Sequence, residues 1–64
     1  MISGTVKWAR EDGTGYVMSN GNTYYTDSSV CMCNWNLLDK DVKVTFKVVT
    51  VLDKAIAVDV RLAT

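Results

Sequence analysis

The sequence predicts a small all-β barrel, and three observations carry that prediction. Val, Ile, Thr and Tyr fall into five short runs, turn residues separate those runs at short intervals, and no run has the length of a long helix. At 64 residues the chain is well below the ~100–200 usual for a domain, so residues 1–64 read as one domain. A chain this short buries only roughly 60% of the surface it exposes when unfolded. That leaves room for one core, and none for a cleft between lobes or a separate cofactor domain. Closing five short strands on themselves removes the sheet edges that invite aggregation. The pattern fits an OB-type barrel and an SH3-like barrel, and by itself does not separate them.

The first strand spans Ile2 to Ala9, with Ile2, Gly4 and Val6 on one face and Ser3, Thr5 and Lys7 on the other. Arg10-Glu11-Asp12-Gly13 is a turn signal. A second strand runs from Gly15 to Ser19. Asn20-Gly21-Asn22 then makes a hairpin turn, because Asn and Gly tolerate positive φ. The third strand covers Thr23 to Thr26. Asp27-Ser28-Ser29 opens a short helical turn or loop, and Val30 to Leu38 has no clear period. The fourth strand is the plainest: Val42, Val44, Phe46 and Val48 alternate with Lys43, Thr45, Lys47 and Val49, which gives an apolar inward face. Asp53-Lys54 marks a turn. The fifth strand runs from Ala55 to Leu62, with Ile56, Val58, Val60 and Leu62 inward and Asp59 and Arg61 toward water.

Seven basic and seven acidic residues give zero formal net charge, which argues against any nucleic-acid binding driven by overall basic charge. Histidine is absent, so the commonest general base and the commonest metal ligand are missing. Gly13-Thr14-Gly15 is too short for a nucleotide fingerprint, and Asp39 and Asp41 flank Lys40 as a solvated turn. No enzyme activity, metal or cofactor is expected. Cys31 and Cys33 are two apart, a poor spacing for a bridge, and two thiols do not fill a tetrahedral zinc site. They read as reduced structural thiols. No apolar run approaches the ~20 residues of a membrane span, and Met1 to Thr5 lack the basic start and apolar core of a secretion signal. A cytoplasmic protein without membrane contact is expected.

Gly4-Thr5-Val6-Lys7-Trp8 resembles the first strand of the cold-shock domain family, and the likeness continues in order along nearly the whole chain. Asp12-Gly13-Thr14-Gly15-Tyr16-Val17 resembles the family's RNP1-type motif, approximately K-G-F-G-F-I, given a preceding turn one residue shorter. Thr23-Tyr24-Tyr25-Thr26-Asp27 is similar to its RNP2-type strand, approximately V-F-V-H-F, and Ser28-Ser29-Val30 to the S-A-I segment after it. Leu38 and Val44 to Val49 resemble the fourth strand, and Ala57-Val58-Asp59-Val60 the closing A-x-N-V. The resemblance implies a five-stranded antiparallel OB-type barrel that binds single-stranded RNA or DNA. Aromatic rings on neighbouring strands would offer flat faces to unpaired bases, each worth ~1–3 kcal/mol by alanine substitution. Binding the unpaired strand pulls hairpins open by mass action, as in an RNA chaperone or transcription antiterminator.

Carried over residue by residue, the resemblance implies that Trp8 is the stacking tryptophan and Tyr16 the second RNP1 aromatic. Tyr24 becomes the first RNP2 aromatic, facing outward with Tyr25 inward, and Thr26 stands at the RNP2 histidine. Trp35 falls near a loop aromatic that covers a further base, and Lys7 sits beside the platform within reach of a phosphate. Strict alternation places Trp8 on the buried face with Val6, unless the first strand bends there as in the family. Trp35 has the alternative of sealing the barrel end. The departures are specific. Thr14 stands at the first RNP1 aromatic, Ala9 at the phenylalanine after the tryptophan, and Asp27 at an RNP2 aromatic. Three lost rings at about 1 kcal/mol each imply an affinity lower by roughly two orders of magnitude. With the zero net charge and the soft Cys31-Met32-Cys33 patch, they support a second expectation. In it, the barrel is a protein-interaction module, using the Val30 to Leu38 loop to regulate a transcription or RNA-handling partner.

Overall fold

The computed structural model describes residues 1–63. Five strands, β1 (Ile2–Ala9), β2 (Thr14–Ser19), β3 (Asn22–Asp27), β4 (Lys43–Val51) and β5 (Lys54–Leu62), close into a barrel in the order β1-β2-β3-β5-β4, with β4 returning to β1. All neighbours are antiparallel except β3 and β5, which run parallel where Tyr25 meets Ile56. The barrel is therefore mixed rather than purely antiparallel. The long connection from β3 to β4 holds two 3₁₀ turns, Ser28–Val30 and Trp35–Leu37. Asp27 and Asn34 cap them, each carboxylate or amide oxygen accepting from the backbone N–H two residues on.

The core is Val6, Val17, Leu38, Val44, Phe46, Ala57 and Val60, all buried. Phe46 has the largest of these side chains and no exposed surface. Its ring meets β1 at Gly4. A Cβ there would lie 2.1 Å from the Met18 carbonyl oxygen and 3.1 Å from the Phe46 ring, so only glycine lets the three elements approach.

Two bulges set which residues face out. In β1, Val6 pairs with Val17 but Trp8 pairs with Tyr16, so Lys7 is an extra residue. An extra residue breaks the two-residue period. Val6 and Ala9 both pack on the core side while Trp8 is turned to the outer face. In β5, Lys47 pairs with Val58 and Thr45 with Arg61, which sets Phe46 opposite both Asp59 and Val60. Asp59 adopts φ 53° to make this bulge. The result corrects the simple alternation read for the fifth strand. Ala57, Val60 and Leu62 face the core, whereas Ile56 and Val58 are half-buried on the outside.

The two tight hairpins share one backbone shape. Asn20 and Gly21 take φ 51° and 81°, and Leu52 and Asp53 take φ 50° and 66°. Positive φ at both central positions defines the I′ turn, for which Asn-Gly is the favoured pair. Leu52 is a branched side chain in a left-handed conformation, and it is 92% exposed. Left-handed backbone costs an L-residue ~1–2 kcal/mol, less for Asn. Leu52→Asn should therefore stabilise the barrel by about 1 kcal/mol, read as a higher urea midpoint at unchanged m-value.

Candidate functional site

The bulge at Lys7 creates a row of rings on the barrel's outer wall. Trp8 on β1 packs edge-on against Tyr16 on β2, with centroids 4.9 Å apart at 63°. Tyr16 packs edge-on against Tyr25 on β3, at 5.6 Å and 79°. The row follows from the pairing, since Tyr16 stands opposite both Trp8 and Tyr25. It continues to β5 through Ile56, the strand partner of Tyr25. Tyr16, Tyr25, Ile56 and Lys54 line a shallow depression of about 350 Å³. Edge-to-face contacts hold rings in place without covering all their faces.

Cations surround the row. The Arg10 guanidinium lies 4.4 Å from the centre of the Trp8 ring, a cation–π contact that occupies part of one indole face. Lys7 is exposed in the bulge next to Trp8, and Lys54 borders the depression. Among the described residues the ion pairs centre on Asp59, with Arg61 at 3.1 Å and Lys47 at 3.9 Å. None involves Lys7, Arg10 or Lys54. Two carboxylates near the row are engaged locally. Asp27 accepts from the Ser29 N–H at 2.9 Å and from the Ser29 hydroxyl. Asp12 accepts from the Thr14 hydroxyl at 2.7 Å and the Thr14 N–H at 3.0 Å, and these bonds hold its carboxyl below the ordinary range.

Of the residues expected from the sequence, Trp8, Tyr16 and Lys7 lie on or beside this wall. Three others do not. Tyr24 turns inward, its ring 5.7 Å from that of Phe46 and packed on the core, and Tyr25 is the outward ring, the reverse of the expected orientation. Thr26 shares Tyr24's face and is 1% exposed, so it is not a surface contact. Trp35 donates from Nε1 to the Arg10 carbonyl at 2.7 Å and packs over Gly15 and the core. These contacts tie it to the β1–β2 turn. Tyr25, Arg10, Ile56 and Lys54 are the additions.

A signal for the Tyr24–Tyr25 choice was present. Asp27 has the same strand parity as Tyr25, and a carboxylate takes the wet face in preference to the core. Thr26 carries a second consequence. Its hydroxyl is buried without a hydrogen-bond partner, and leaving such a group unmet costs about 1–3 kcal/mol. Thr26→Val should raise stability by about 1 kcal/mol without changing ligand affinity. Urea titration beside a binding titration checks both halves.

Away from the ring row, the Cys31 and Cys33 sulfurs are 3.1 Å apart, both half-buried. Burial chiefly, with Cys31 adding to it, pushes the Cys33 thiol up to about 11 from 9.0. An unfolded thiol ionises first as pH rises, so the stability held by this group is full below about 9 and is lost as pH climbs to about 11. The urea midpoint should fall across that window, and Cys33→Ser should flatten the fall.

No protein-family model matches this chain, and no curated protein is similar enough to count as a relative.

Proposed function

We propose that this barrel binds single-stranded nucleic acid, in the manner of a cold-shock domain, by stacking bases along Trp8, Tyr16 and Tyr25. The observation that carries the reading is the continuous row of three rings on adjacent strands of the outer wall, flanked by Arg10, Lys7 and Lys54. Each ring offers a π-face that any base can meet, so binding tolerates sequence variation. Arg10 either stacks with the first base through its guanidinium plane or swings off Trp8 to meet a phosphate. Zero net charge means that stacking, rather than the long-range field, supplies most of the affinity. The local role is strand holding, as an RNA chaperone or antiterminator acts, in the cytoplasm.

The test is a tryptophan fluorescence titration with a short oligopyrimidine. Quenching that saturates at micromolar ligand and depends only shallowly on salt is expected, because at most three cations meet phosphates. A flat titration up to ~100 µM, well into the non-specific range, sinks the reading.

A second reading has its own observation. Val49 and Val51 on β4 and Leu52 at the hairpin tip are exposed beside Ile56, an apolar strip of the kind that protein partners cover. Under this reading the barrel is a protein-interaction module acting on a transcription or RNA-handling partner. The strip joins the expected Val30 to Leu38 loop, where Met32 and Leu37 are also exposed, as a contact surface. A flat oligonucleotide titration together with capture of such a partner, lost in Leu52→Asp, would favour it.

A further inference from the structure

Cys31 and Cys33 are spaced for the inertness that the sequence suggests, yet the fold brings their sulfurs together. Cys31 is extended, at φ −85° and ψ 123°, and pairs with Val60 of β5 as an isolated parallel bridge. The Met32 N–H donates to the Val60 carbonyl at 2.8 Å, and the chain then bends through Met32 and Cys33. The segment is thus fastened to β5 at its start and curled at its end, which turns both thiols to one side. Their sulfurs stand 3.1 Å apart, and the Cys31 thiol is 3.2 Å from the Cys33 carbonyl as a donor. A bonded pair is about 2.0 Å apart, so closure needs a movement of about 1 Å. Met32 between them is 60% exposed, so the segment lies open to a small reagent.

We propose that Cys31 and Cys33 form a reversible dithiol–disulfide couple that exchanges with low-molecular-weight disulfides. In the first step the Cys31 thiolate attacks one sulfur of the reagent. A mixed disulfide forms at Cys31, the reagent's S–S bond breaks, and one reagent thiolate leaves. In the second step Cys33, after giving its proton to solvent, attacks the Cys31 sulfur and expels the second reagent thiolate. The two protein thiols lose two electrons and two protons, and the reagent disulfide becomes two thiols. Burial raises the Cys33 thiol above its ordinary value, so Cys33 acts second. A tight, part-exposed ring of this kind belongs with labile disulfides that are readily reduced again, rather than with structural ones.

The experiment treats the folded protein with excess glutathione disulfide at about pH 8, where ordinary thiols exchange readily, and follows intact mass and free thiol content. The expected product is a monomer lighter by two hydrogens with no free thiol, returned to the dithiol by reduced glutathione. Cys33→Ser should stop at a single adduct on Cys31. Cys31→Ser should likewise stop at a single adduct, formed on Cys33 and more slowly because that thiol is buried. Circular dichroism checks that both variants keep the barrel. Two stable adducts, intermolecular dimers or unreacted thiols would each overturn the proposal.

Discussion

Tyr16→Ala should weaken oligopyrimidine binding by about tenfold to a hundredfold, the range of one lost stacking ring, while the barrel stays folded. Tyr16 is the middle of the row, touching Trp8 on one side and Tyr25 on the other. Removing it therefore takes away one face and releases the two rings it braces. Its own parity is outward, between the buried Gly15 and Val17, so little core volume is lost. Tyr24→Ala is the control, because Tyr24 packs on Phe46. Truncating it should cost about 2–4 kcal/mol of stability, as core aromatics do, and leave the intrinsic affinity of the folded fraction unchanged. Fluorescence titration and urea denaturation on both variants separate the two roles. Unfolding of Tyr16→Ala with a stable Tyr24→Ala would invert the faces assigned to β2 and β3.

Phe46→Ala should abolish or nearly abolish the folded state. A domain of this length has about 3–10 kcal/mol of stability to lose, and truncating a fully buried phenylalanine removes about 3–5 kcal/mol. The loss should sit at the upper end because the site cannot collapse. The ring's neighbours are the strand backbones at Gly4 and the Tyr24 ring, and neither can fill the void without breaking β1–β4 or β3 pairing. Thermal and urea unfolding by circular dichroism measure it directly. Phe46→Leu should retain a cooperative transition at a lower midpoint, since it leaves a smaller void. The same crowding makes Gly4 irreplaceable for a steric reason, independent of any role it has as part of a strand motif.

Alternation, turn chemistry and length were enough to place five strands within a residue or two of where they lie, and to put Val42, Val44, Phe46 and Val48 toward the core. These properties are local. Strand period, the Asn-Gly turn and the Asp27 cap are decided by neighbours in the chain. The two bulges were not legible in this way. Whether Lys7 and Asp59 are absorbed as extra residues depends on the register of the partner strand, and therefore on barrel closure. Each bulge reverses the faces beyond it. One carries Trp8 outward and makes the ring row, and the other carries Ile56 outward to meet Tyr25. Long-range placement also decided the remaining differences. Trp35 finds the Arg10 carbonyl across the barrel end, and the bend at Met32–Cys33 brings two thiols together that an extended chain would hold apart. Local preferences fix the strands, the turns and the inward face of β4, because apolar burial and backbone bias act residue by residue. They do not fix the inward residues of β3 and β5, where Tyr24 and Ala57 stand in place of the expected Tyr25, Ile56 and Val58. The tertiary structure alone decided which aromatics share a wall, because one inserted residue changes a side chain's face only once its partner strand is fixed.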